Sequence, residues 1–339
     1  MAKKKIWLYL RRAVFVVVLI ALLVYVFMVF ERKSIYGSWN YTLKVNGFKN
    51  EPEDSFNLIG FGSSHMYCTM SPLHIYENTG IRSYVLATQE QPAAATYYYV
   101  KEAFETQKPD VVILEGYMYL QNDFVPGEGT LHDAVDSFPE GRNKFDMINA
   151  LNPSDGKENY YFNFMKYHTR WKELTAADFD LSYRSETDPM HGYVFVTENQ
   201  PIDMKQQDYS QNQEAPLSQI NMEYLRKTVD LIHENGSEVL LLLAPYLPKG
   251  FAEESKTLHR FAQEEGLEML DMNLCYDDIG LDSSLHFCDT EHLNVYGAEI
   301  ASEYLVKYIQ ERFTLTPRNV NDDVLWREDL RAYRAAQKR

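Results

Sequence analysis

The chain has 339 residues, enough for one sizeable domain with insertions or for two small ones. Its formal charge is −16, and the first 33 residues hold seven Lys/Arg and one Glu, leaving 26 basic against 48 acidic residues, or −22, in the remainder. An acidic body of this kind argues against nucleic acid as a partner and against a polybasic lipid-binding face, and three cysteines (Cys68, Cys275, Cys288) are too few for a disulfide framework and lack zinc-site spacing.

The run from Ala13 to Phe30 is uncharged, apolar and long enough to cross a bilayer as a helix. Lys3, Lys4, Lys5, Arg11 and Arg12 precede it, against Arg32 and Lys33 after it, so the positive-inside bias keeps the N-terminus cytoplasmic and sends the rest outside. No small-x-small cleavage site closes the run, so residues 1–33 are expected to be an uncleaved signal anchor in the plasma membrane. Residues 34–55 mix Tyr, Asn, Gly and Lys without a sustained period and read as a juxtamembrane connector.

From Phe56 the pattern alternates. Phe56–Phe61 is strand-like and runs into the turn Gly62-Ser63-Ser64-His65; Pro72–Gly80 is a short helix with Pro near its start and Gly at its end. Ser83–Ala87 is a second strand, Pro92–Gln107 a helix, and Asp110–Glu115 a strand of the kind buried on both faces. Such alternation implies right-handed crossovers and a parallel sheet. It stops between 116 and 215, a segment rich in Tyr, Phe, Asn, Asp and Gly that is expected to form an inserted lid. Within it, Asn159–Leu174 carries His168, Arg170 and Trp171, and His191–Val196 reads as a turn leading into a short strand. These aromatics either pack the lid onto the sheet or line a pocket for a sugar or phosphate, with Arg170 as anion contact.

Alternation resumes with a helix over Leu217–Asn235, a strand over Glu238–Ala244, a helix over 250–265, a short strand over Leu267–Asp271 and a helix over Val295–Phe313 whose apolar residues share one stripe. The tail, 314–339, is charged and expected to be helical over 320–337.

Two stretches carry chemistry. Ser64 stands in a tight turn after the first strand, at the sheet edge where ligands bind in parallel α/β folds. Just before the last main helix, Asp289 and His292 are three residues apart in Phe287-Cys-Asp-Thr-Glu-His-Leu-Asn-Val-Tyr-Gly297. A carboxylate so placed can orient one imidazole nitrogen and leave the other to take a proton from a serine.

A serine after the first strand and an Asp-x-x-His near the C-terminus resemble the SGNH (GDSL-like) hydrolase superfamily, most closely its membrane-anchored branch, which includes teichoic-acid D-alanylation and alginate O-acetylation proteins. The likeness covers Phe56–Glu115 and Leu217–Phe313. It implies a flavodoxin-like three-layer α/β/α sandwich over 56–313, with Ser64 as nucleophile, His292 as base and Asp289 as orienting acid. Ser63 stands where the family has aspartate, and His65 follows in place of a small or apolar residue. The family's oxyanion glycine and asparagine lack clean counterparts, so the N–H of Ser64 with the side-chain amide of Gln91, or else Gln89, is the expected donor set. His65 reads as structural or substrate-facing, Asp282 and Glu291 as solvated or capping, and neither metal nor cofactor is implied. Outside the cytoplasm a Cys68–Cys288 disulfide is compatible with this arrangement. The implied activity is O-acyl transfer or ester hydrolysis between an acyl donor and a glycan or cell-wall polymer, beside a membrane-embedded acyltransferase; the rival is a non-catalytic envelope protein that binds polymer or scaffolds such an enzyme.

Overall fold

Five short strands make the centre of the molecule: β1 (Leu58–Gly62), β2 (Ser83–Ala87), β3 (Val111–Glu115), β4 (Glu238–Leu243) and β5 (Glu268–Asp271). In this computed structural model, which describes residues 2–35, 37–122, 124–245, 251–318 and 323–338, the first three strands are buried at every position. That burial is the reason their sequences are continuous apolar runs rather than alternating ones. All neighbours are parallel, in the order β2-β1-β3-β4-β5, with Leu58 opposite both Ser83 and Val111. The chain reverses its winding between β1 and β3, which opens a crevice at the carboxyl ends of those strands.

The main helices outside the insertion are α1 (Ala2–Phe30), α2 (Tyr41–Asn50), α3 (Ser64–Thr69), α4 (Pro72–Thr79), α5 (Ala93–Ala103), α6 (Gln219–Glu234), α7 (Ala252–Glu265), α8 (Val295–Arg312) and α9 (Val324–Gln337). Among them α5 packs on α6, whereas α8 packs on α3 and α4. The expected three-layer α/β/α sandwich with a parallel sheet is therefore present. Helix α1 contains one stretch, Lys4–Phe30, long and apolar enough to cross a membrane.

Three segments differ from expectation. The connector contains α2, which was invisible as a period because it is buried nearly all round, at Tyr41, Thr42, Lys44, Val45, Gly47 and Phe48. A Cβ at Gly47 would collide with the backbone of Asp188, so this glycine marks a close approach rather than a loop. The insertion is built of short helices, among them Glu128–Val135 and Arg142–Leu151, and of single helical turns, and the strand expected at His191–Val196 is not formed. Its carbonyls and amides serve other elements instead: Val85 N–H donates to the His191 carbonyl and Val194 N–H to the Tyr67 carbonyl, both at 2.9 Å. Finally, the tail is part of the domain. Trp326 and Tyr333 of α9 are buried, Trp326 stacks on His191 with ring centroids 3.9 Å apart, and Arg334 pairs with Glu77 and Glu299. Gly250 and Val320, where two helices were expected to begin, lie outside the described residues.

Helix α8 begins on a buried cap. Asn294 Oδ1 accepts the N–H groups of Tyr296 and Gly297, each at 3.1 Å, and Asn294 Nδ2 donates to the Leu285 carbonyl at 2.8 Å. Asn294→Ala removes all three bonds and is expected to cost about 2 kcal/mol, read as a lower denaturation midpoint at unchanged slope.

Candidate active site

The turn after β1 is shaped by β3. Gly62 has φ +147°, and a Cβ there would lie 2.6 Å from the Glu115 Cβ, so only glycine lets the strands stay paired to this point. Glu115 Oε2 accepts from Ser63 Oγ at 2.7 Å and from Ser63 N–H at 3.2 Å, and Oε1 accepts from Tyr117 N–H at 2.6 Å. Ser63 Oγ in turn accepts the His65 N–H at 3.3 Å, which starts α3 and fixes Ser64 as its first residue. Burial pushes the Glu115 carboxyl up, against the pull of the bonds from Ser63 and Tyr117, to about 7.

The second loop closes on itself. Asp289 Oδ1 accepts the N–H groups of Glu291 (2.7 Å) and His292 (2.8 Å), while His292 Nδ1 lies 2.9 Å from Asp289 Oδ2. Burial raises the Asp289 carboxyl, but the imidazole bond and the backbone N–H of Glu291 outweigh it and hold the group at about 2. With Nδ1 on the carboxylate, Nε2 carries the free lone pair. That Nε2 is buried and has no hydrogen-bond partner among the described residues.

The fold brings the two loops together. The His65 and His292 rings are 5.3 Å apart, and burial, reinforced by His292, pushes His65 down to about 3, so it is neutral. The Tyr67 phenol, three residues on from Ser64, meets the Tyr41 hydroxyl at 2.9 Å. Since His292 Nε2 has no hydrogen-bond partner among the described residues, a serine-to-histidine hydrogen bond is not made there.

The wall of the site comes from the connector, which sequence reasoning had set aside. Trp39 stands edge-on to both His292 (6.2 Å) and Tyr67 (5.7 Å). Lys44 is buried with its Nζ 5.0 Å from the Tyr67 ring centre and no hydrogen-bond partner for that nitrogen among the described residues. Burial, partly opposed by Asp188, pushes its ammonium down to about 8. One signal could have found Tyr67: it is three residues after Ser64, on the same face of any helix that Ser64 begins.

Other expected residues are placed elsewhere. Gln91 is fully buried; its amide nitrogen donates to Thr96 Oγ1 at 3.0 Å and its oxygen accepts from Thr88 Oγ1 at 3.2 Å, so it ties its own turn together instead of facing Ser64. Gln89, in the same turn, is exposed. Arg170 is engaged within the protein: its Nη1 donates to the carbonyls of Phe30 (3.0 Å) and Glu31 (2.6 Å) and its Nη2 to Asp178, filling acceptors left open at the end of α1. His168 is exposed, its Nδ1 2.8 Å from the Met165 carbonyl, and belongs to that same region. Cys68 and Cys288 are free thiols; Cys68 is enclosed in the core, and Cys288 Sγ is directed to the Leu293 carbonyl at 3.7 Å. For a metal, the donors of His65, Glu291 and His292 lie within 4.8 Å of one another, as do those of Glu128, His132 and Asp155. The first set shares the imidazole that would serve Ser64.

No protein-family model and no curated protein sequence matches the chain. Among solved structures it is similar to a protein ascribed to the G-D-S-L lipolytic family from Desulfitobacterium hafniense, at 11% identity over 74% of this chain and 97% of that one, with a TM-score of 0.37. A gut microbial diltiazem-metabolizing enzyme is similar at 14% identity over 76% of this chain and 47% of that one, with a TM-score of 0.27. Likenesses at these scores add no weight to the reading of the site, which stands on its own residues: an α/β protein with a serine turn and an Asp-x-x-His loop meeting at one edge of a parallel sheet.

Proposed function

We propose that the protein is a membrane-anchored serine acyltransferase or esterase, with its catalytic domain outside the cytoplasm and a cell-surface glycan or cell-wall polymer as acceptor. The observation that carries this reading is the buried Nε2 of His292, without a hydrogen-bond partner among the described residues and oriented by Asp289 through Nδ1 beside the turn that bears Ser64. Ser64 Oγ attacks the acyl carbonyl as His292 Nε2 takes its proton. The oxyanion meets the N–H of Ser64 in the first turn of α3, where helix geometry leaves donors unspent. Collapse expels the donor's alkoxide, protonated by His292, and leaves an acyl-Ser64 ester. Water or a sugar hydroxyl then attacks that ester and regenerates the serine. The resemblance to membrane-anchored SGNH proteins favours a sugar acceptor, because an enzyme that receives acyl groups at a bilayer works beside it.

The test is to treat the full chain in detergent with a fluorophosphonate serine probe and map the adduct by peptide mass. An adduct on the peptide holding Ser64 is expected. A folded protein that takes no probe, or takes it elsewhere, would overturn the enzyme and leave a polymer-binding or scaffolding role.

A further inference from the structure

The insertion does not sit only on the sheet; part of it grips the outer end of the membrane-spanning helix. The short helix Asn163–Tyr167 and the turns His168–Lys172 and Ala176–Phe179 all pack against α1. The Phe164 ring lies 5.0 Å from that of Phe27 and 5.3 Å from that of Phe30. Phe27 is three residues inside the end of the apolar span, about 4.5 Å at helical rise, so a ring packed on it stands at the depth where hydrocarbon gives way to headgroups. Polar bonds hold the segment at that height: Arg170 donates to the last carbonyls of α1, and Lys33 Nζ donates to the Asp178 carbonyl at 2.6 Å.

The same segment, packed on the end of α1, exposes large apolar side chains. Met165 is 55% exposed, Trp171 63% and Phe179 52%. Two of the nearby cations are paired within the protein, Lys166 with Glu128 and Arg170 with Asp178; Lys172 lies over the Trp171 ring at 5.0 Å, and the exposed carboxylates of Glu173 and Asp180 flank the apolar side chains. Aromatic and thioether side chains suit the interfacial zone of a bilayer, where an apolar ring can leave water while its polar edge stays wet.

We infer that Met165, Trp171 and Phe179 form a membrane-surface docking patch, so that the domain is held on the bilayer at two places, by α1 through it and by the insertion on it. The occupant is lipid, and because the patch carries no unpaired basic cluster, the contact is hydrophobic rather than electrostatic.

The test uses the full chain reconstituted into vesicles of phosphatidylcholine with a minority of phosphatidylglycerol, some made with lipid brominated near the top of the acyl chain. The emission of wild type minus that of Trp171→Phe isolates Trp171, since Trp7, Trp39 and Trp326 are common to both. Bromine is expected to quench that difference about twofold or more, and high salt to leave the quenching unchanged. In Met165→Asp/Phe179→Asp, both exposed positions, the quenching of Trp171 is expected to be lost while probe labelling at Ser64 continues. A difference emission untouched by bromine would overturn the proposal and assign the patch to a protein partner or to water. Quenching that vanishes in high salt would likewise overturn its hydrophobic basis.

Discussion

Replacing His292 with Ala is expected to lower the rate of covalent capture at Ser64 by about a thousandfold or more, within the range that a positioned general base supplies. The argument is geometric. His292 Nε2 is the buried nitrogen whose lone pair is left without a partner among the described residues beside the serine turn, and Nδ1 is committed to Asp289 at 2.9 Å. Asp289→Asn tests the other half. An asparagine can present its amide N–H to Nδ1 and hold the ring in the tautomer with a proton on Nε2, which cannot accept one from serine; a loss of about ten-thousandfold in a folded protein is the expected result. Ser64→Ala should take no probe at all. The pH dependence separates the roles further, since Asp289 is held at about 2 and remains a carboxylate throughout any usable range. If Asp289→Asn labels as fast as wild type while His292→Ala does not, orientation by the carboxylate is not part of the mechanism.

Much of this site was legible in the sequence because its parts are local. A strand, a glycine turn and a serine are neighbours in the chain, and Asp-x-x-His closes over a single turn through Asp289 Oδ1. The strands were equally legible, since full burial leaves an uninterrupted apolar run such as Val111–Glu115. What stayed hidden depends on distant partners. Arg170 looked like an anion contact because nothing in its neighbourhood shows that Phe30 and Glu31, about 140 residues earlier, offer it carbonyls. Gln91 looked like an oxyanion donor, yet Thr88 and Thr96 on either side absorb both ends of its amide. Helix α2 escaped because Lys44 is buried among apolar neighbours, and a buried lysine breaks the polar-out pattern by which a surface helix is recognised. Its Trp39 and Tyr41 neighbours then reach the site from a segment that, in sequence, only joins membrane to domain.

The buried carboxyl of Glu115 gives the second large effect, on stability and through it on the site. Its pKa in the fold is about 7, above the ordinary 4.5, because burial opposes its charge more strongly than the bonds from Ser63 and Tyr117 favour it. Between those two values the folded protein keeps a proton that the unfolded chain has released. The stabilising contribution is therefore complete below about pH 4.5 and is lost as pH rises to about 7, by about 3 kcal/mol. Glu115→Gln cannot ionise, so wild type minus variant isolates this window from every other titrating group. At pH 5 the variant is expected to be less stable by about 1–3 kcal/mol, because its amide nitrogen replaces an oxygen that accepts a backbone N–H; near pH 8 that gap should close or reverse. Thermal unfolding of the full chain in detergent across this range provides the measurement, and a gap that does not change with pH would show that Glu115 titrates as an ordinary carboxyl. The same variant bears on catalysis, since Glu115 holds Ser63 and Ser63 Oγ accepts the N–H that starts α3. Glu115→Leu, which removes the bonds Glu115 accepts from Ser63 and Tyr117, is expected to slow labelling at Ser64 by about a hundredfold even where the protein remains folded, because the turn that carries the nucleophile then loses its side-chain tie to β3.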